Sequence, residues 1–138
     1  MKSGLDHARI LLEKAGNDLK LAAIGFKHDA PTDTVAFHLQ QMAEKTLKAL
    51  LASRNVLYPK THDLDELFHL LPQDLSTISV FREPLMGWTS YAVDMRYEIT
   101  GYPDKEEISE ALETARSLQA AVLALIPLKP EAPNTAGQ

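Results

Sequence analysis

The chain has 138 residues, no cysteine and a formal net charge of −5 at pH 7, with 45% hydrophobic and 24% charged residues. That is the size and balance of one ordinary globular domain. Disulfides and cysteine-based metal sites are excluded, an acidic chain is a poor non-specific ligand for nucleic acid, and no apolar run approaches the ~20 residues a membrane span requires.

The charge is uneven. Residues 31–60 hold four basic and two acidic groups, and residues 61–100 hold two basic and seven acidic groups. A local phosphate site is therefore compatible with the basic stretch. The N-terminal MKSGLDHARILLEKAG has only a short apolar run with a Glu and a Lys directly after it, unlike a signal peptide, so the expected compartment is the cytoplasm.

Residues 5–27 read as the first helix. Leu5, Ala8, Leu12, Ala15, Leu19, Ala22 and Phe26 recur at helical spacing, and Ser3 with Asp6 resembles a capping box. Pro31 disfavours helix at Ala30, which makes His28–Pro31 a turn. The second helix runs from Thr32 or Asp33 to Arg54. Residues 35–51 are almost all good helix formers, without Gly or Pro. On a helical wheel Val35, Ala36, Leu39, Met42, Ala43, Leu47, Ala49 and Leu50 share one arc roughly 160° wide, a core face. Phe37, His38, Gln41, Glu44, Lys45 and Lys48 fall opposite.

Tyr58-Pro59-Lys60 breaks the second helix. Leu64, Leu67, Phe68 and Leu71 give a short amphipathic helix, capped by Asp63 or Thr61 and ended by Pro72. Residues 75–99 carry Ile78, Phe81, Leu85, Trp88, Ala92 and Met95 at +3 and +4 spacing, with Pro84 and Gly87 as a kink or a break. The last helix starts after the Asp104/Glu107 capping pattern. Its stripe is Ile108, Ala111, Leu112, Ala115, Leu118, Val122 and Leu125, and Pro127 ends it. Residues 127–138 hold three prolines, a glycine and small polar groups, a tail expected to be disordered. No segment alternates with period two. The expected fold is all-α: an antiparallel up-and-down bundle of four long helices plus one short helix, spanning residues 1–126 as a single domain.

Glu66-x-x-His69 has the spacing of a di-iron half-site, but no second copy accompanies it, and a solvated acidic face is the better reading. No two histidines lie four apart, and no phosphate loop, dinucleotide fingerprint or hydrolase elbow is present. No metal and no cofactor is expected. Lys45, Lys48, Gln41 and His38 could meet a phosphate and a base edge, or simply be a solvated helix face.

Four stretches carry a resemblance. They are Asp18-Leu19-x-x-Ala22, Phe37-His38-x-Gln40-Gln41-x-x-Glu44-Lys45-x-x-Lys48-Ala49, Pro59-Lys60-Thr61-His62-Asp63-Leu64, and Arg96-Tyr97. Together they resemble the HEPN domain in its small stand-alone prokaryotic form, over about residues 5–126. The resemblance implies a helical bundle that commonly dimerises. Many members are ribonucleases or ribonuclease-like toxins, and others act beside a minimal nucleotidyltransferase in a toxin–antitoxin pair. The family's catalytic signature is an Arg followed, after four to six residues, by a His. Arg96 matches the Arg and is the candidate catalytic residue, but Gly101, Tyr102 and Pro103 occupy the His positions.

The first reading is thus a dimeric nucleotide- or RNA-binding module, partner of a minimal nucleotidyltransferase and weak or inactive as a catalyst. Its site would be His38, Gln41, Lys45, Lys48, His62, Arg96 and Tyr97. The second is a metal-independent endoribonuclease using His38 or His62 as a displaced proton-transfer group. The third is a structural protein-interaction domain. The expected homodimer interface is Phe37, Gln41, Glu44, Lys48 and Leu51, because Phe37 and Leu51 fall on the outer side of the wheel with the three polar groups between them.

Overall fold

A computed structural model of the chain describes residues 3–72, 75–93 and 102–126. Its helices are α1 (Gly4–Lys27), α2 (Thr32–Ser53), α3 (Leu64–Leu70), α4 (Ser76–Ser79), α5 (Thr89–Val93) and α6 (Lys105–Leu123). No strand occurs among the described residues.

The helix starts are chemically explicit. The Ser3 hydroxyl accepts from the Asp6 amide, and the Asp6 carboxylate accepts from the Ser3 amide. This reciprocal cap satisfies two donors at the start of α1 and places an acid at the positive end of the helix dipole. Asp104 accepts from the Glu107 amide at the start of α6, and Asp63 accepts from the Asp65 amide at the start of α3. Asp29 takes a positive φ in the turn after α1, so the chain reverses directly into α2.

α2 is the central element: α1, α3, α5 and α6 all pack on it. Its burial is therefore wider than one arc. Val35, Leu39, Met42, Ala43, Leu47 and Leu50 are buried as their spacing predicts, but so are Gln40, Glu44, Thr46, Leu51 and Ala52. Leu51 corrects the expectation that it extends an outward apolar line. After α2, Asn55 adopts a positive φ, and the Val56 amide turns back to the Leu51 carbonyl at 2.9 Å. Leu51 ends fully buried in its own chain.

The stretch 75–99 is interrupted around Pro84 and Gly87, as expected, but more completely than by a kink in one long helix. Its described part is α4, a run of turns over 80–88, and α5. Pro84 cannot donate an amide hydrogen bond, and Gly87 stands at φ 92°. The turns close largely through three-residue bonds, as from Phe81 to Ile78 and from Trp88 to Leu85. The chain keeps coiling through these turns, and Ile78, Leu85, Trp88 and Ala92 still reach the core. Among the described residues there are thus three long helices and three short ones, not four and one. Met95 and the tail 127–138 lie outside the described residues.

α1 and α2 form a close pair running in opposite directions. Near the turn, Gly25 faces Ala30 and Val35; at the far end, Gly4 sits against the Ala52 carbonyl. A Cβ at position 4 would collide with that backbone oxygen and with the Asn55 side chain. Gly4→Ala, although it favours helix locally, should destabilise the domain by about 1–3 kcal/mol, the usual cost of overpacking. Gly16→Ala meets only the Gln119 side chain at van der Waals distance and is the control of opposite sign, expected to stabilise the domain by about 0.5–1 kcal/mol in the same thermal melt.

Candidate functional site

The polar side of α2 is organised by two carboxylates. The first is Asp18 on α1, whose side chain is only 13% exposed. Its Oδ1 accepts from His38 Nδ1 at 3.0 Å and its Oδ2 from Lys45 Nζ at 2.6 Å. One acid therefore ties α1 to two successive parts of α2. The Phe37 ring stands edge-on to the His38 ring.

The second carboxylate is Glu44. Oε1 accepts from His62 Nδ1 at 2.7 Å and from Gln40 Nε2 at 3.2 Å, and Oε2 accepts from Lys48 Nζ at 3.0 Å. Gln40 Nε2 also donates to the His62 carbonyl at 3.0 Å, and Gln41 donates to the Gln40 amide oxygen at 2.7 Å. Lys48 then lies 5.6 Å from the Tyr58 ring centroid, and the Tyr58 hydroxyl meets His7 Nε2 at 3.0 Å. The network runs from α1, across α2, to the segment that precedes α3.

Its electrostatics are opposed and resolved. Burial pushes the Glu44 carboxyl up, but donors from His62, Lys48 and Gln40, with the Lys48 charge, outweigh it and hold the group below its ordinary range. Burial and the Glu44 charge raise Tyr58 above the ordinary phenol value, so its proton stays on. Each histidine faces an anion through Nδ1. A carboxylate can only accept, so Nδ1 carries hydrogen at both His38 and His62, and Nε2 is left for other partners.

Of the expected binding residues, His38, Gln41, Lys45, Lys48 and His62 are brought to one side of α2, but by acids that occupy part of their donor capacity. Arg96 and Tyr97 lie outside the described residues. Of the expected interface residues, Glu44 and Leu51 are buried within the chain; Phe37, Gln41 and Lys48 are partly exposed. Glu44 is thus corrected from a surface contact to an internal anchor. Gln40 and Tyr58 were not among the expected site residues. A fully buried glutamine beside an arc of apolar residues gives no wheel signal, and Tyr58 reads only as part of a helix break. Glu66 and His69 turn to different partners: Glu66 accepts from Thr61, and His69 bonds the Asp65 carbonyl and Arg82.

An all-α domain whose central helix carries a buried, hydrogen-bonded polar network defines the class. The family model for the HEPN domain matches residues 8–125, and the chain belongs to the HEPN family. No curated protein and no solved structure matches it.

The Glu44 network sets an acid sensitivity. The folded carboxyl binds its proton more weakly than the unfolded one, so its stabilisation is present above the ordinary glutamate range and is lost as pH falls through the lowered value. Glu44→Gln should destabilise the domain by about 1–3 kcal/mol at pH 7, by loss of charge-assisted hydrogen bonds. The same substitution should flatten the fall in stability between about pH 5 and 3, read from urea midpoints at each pH.

Proposed function

We propose that this HEPN domain is a dimeric nucleotide- or RNA-binding module that acts with a minimal nucleotidyltransferase, and that it is weak or inactive as a nuclease. The observation that carries the reading is the gathering of His38, Gln41, Lys45, Lys48 and His62 on one side of α2. Each lysine spends one of three ammonium hydrogens on a carboxylate, so donors remain for phosphate oxygens. His62 is 60% exposed, and its bond to Glu44 through Nδ1 leaves Nε2 unused by that bond. Arg96, the Arg of the family motif in the sequence, is the proposed bidentate ligand for phosphate on the chemistry of its guanidinium. Gly101, Tyr102 and Pro103 leave Arg96 without its imidazole, which removes the group that would move protons near neutral pH.

Titration with ATP and with a short single-stranded RNA tests this. Affinity should fall as salt rises, and Lys45→Gln and His62→Gln should each weaken it several-fold while leaving the fold intact. Lys45 and His62 are partners of Asp18 and Glu44, as Lys48 is of Glu44, so circular dichroism and a thermal melt of each variant separate lost binding from lost stability. Equal affinity in both variants removes the site.

Dimerisation in this reading uses the partly exposed Phe37 and Gln41, which remain outward on α2. Sedimentation of Phe37→Asp checks it: weaker self-association in a folded variant supports the contact, and unchanged association refutes it.

A second reading has one observation in its favour. Asp18 orients His38 through Nδ1, the arrangement that steadies a general base, and Nε2 is not used by that bond. On that reading the domain is a metal-independent endoribonuclease. RNA cleavage by pure protein, unaffected by chelator and lost in His38→Ala, would establish it.

A further inference from the structure

Leu57 is 93% exposed, the most exposed of the large hydrophobic residues described. The loop around it is held from both sides. The Val56 amide bonds Leu51, and the half-buried Tyr58 hydroxyl bonds His7. Val56 and Tyr58 both pack against the core. Leu57 between them is therefore held outward by its pinned neighbours. Arg54 and Lys60, both exposed, flank it, so the loop presents an apolar tip between two cations.

A few residues further on, a cleft of about 700 Å³ opens between α3 and the turns over 79–89. Leu64, Phe68 and Leu85 form its buried apolar floor. Val80 and Met86, 64% and 75% exposed, stand at its edge. Asp63, Asp65 and Glu83 are its acids and Arg82 its base. Arg82 is taken up by Asp65, with Nε to Oδ1 at 2.6 Å and a second nitrogen to Oδ2 at 3.2 Å. Asp63 and Glu83 are the excess charge. The cleft is thus apolar at its floor and carries excess negative charge, the complement of the loop at 54–60 in sign and in apolar character.

We infer that the cleft receives the Leu57 loop of a second copy of this chain. Loop and cleft are nearly consecutive, separated only by Thr61 and His62, so a two-fold axis near that junction lets each copy give its loop and take the other's. In its own chain Leu57 does not line the cleft, because Val56 and Tyr58 hold the loop against the core and leave Leu57 in solvent. The cleft has room for several side chains, enough for a leucine and the stems of its flanking cations. The contact is distinct from the Phe37 face and stands or falls without it.

Sedimentation equilibrium over a wide concentration range tests the contact, with Leu57→Asp, Met86→Asp and Phe37→Asp each compared with wild type. Leu57 is exposed and Met86 lies at the rim, so neither substitution disturbs the core; circular dichroism checks this. The contact predicts that Leu57→Asp and Met86→Asp each weaken self-association at least tenfold, and that rising salt weakens the wild type. It also predicts that mixing the two variants restores partial association, since one intact loop then meets one intact cleft. A wild type that stays monomeric at several hundred micromolar overturns the inference. So does association that Phe37→Asp abolishes and the other two leave unchanged, an outcome that would uphold the α2 contact alone.

Discussion

A carboxylate withdrawn from water must be met by donors, or it gives up its charge. At Glu44 the donors come from the next turns of α2 on either side, through Gln40 and Lys48, and from His62 beyond the helix. The two helical donors are available as soon as α2 forms. The third arrives only when the segment after α2 folds back. That return also buries Leu51, seats Tyr58 beside Lys48, and sets the start of α3 at Asp63. Removing the charge at position 44 would loosen all of these together, because Gln40 holds the His62 backbone as well as the Glu44 carboxylate.

What could be read from the sequence divides along physical lines. Local rules worked where the interaction is local. The Ser3/Asp6 cap, the reversal at Asp29–Pro31 and the apolar stripe of α6 depend on residues within a turn or two of one another. The stripe over 78–92 was also legible, and so was the interruption at Pro84 and Gly87, though not its extent. Side-chain spacing survives in successive turns, while the backbone there breaks at Pro84 and Gly87.

The polar side of α2 was legible as composition and opaque as pairing. A wheel separates Phe37, His38, Gln41, Glu44, Lys45 and Lys48 from the core arc, and that separation assumes solvent on the far side. Solvent is not there for Glu44, because the segment carrying His62 covers it. Leu51 shows the same failure with an apolar residue: its wheel angle is outward, and the chain comes back over it. A single-helix projection has no term for a neighbour that arrives from elsewhere in the sequence.

The two acids also change what the basic stretch can offer a ligand. Formal counting gives residues 31–60 an excess of cations, yet Lys45 and Lys48 already face Asp18 and Glu44. Asp18 lies outside that stretch, so the count overstates the local field. A phosphate approaching α2 would meet ammonium groups pre-oriented by carboxylates behind them. Such groups offer fixed direction and little net charge, which suits selection among bound phosphates better than long-range capture. The acidic cleft beside α3 works against capture of polyanions at that end of the molecule. Charge is thus distributed so that the α2 face, and not the cleft beside α3, is where an anionic group would meet oriented cations.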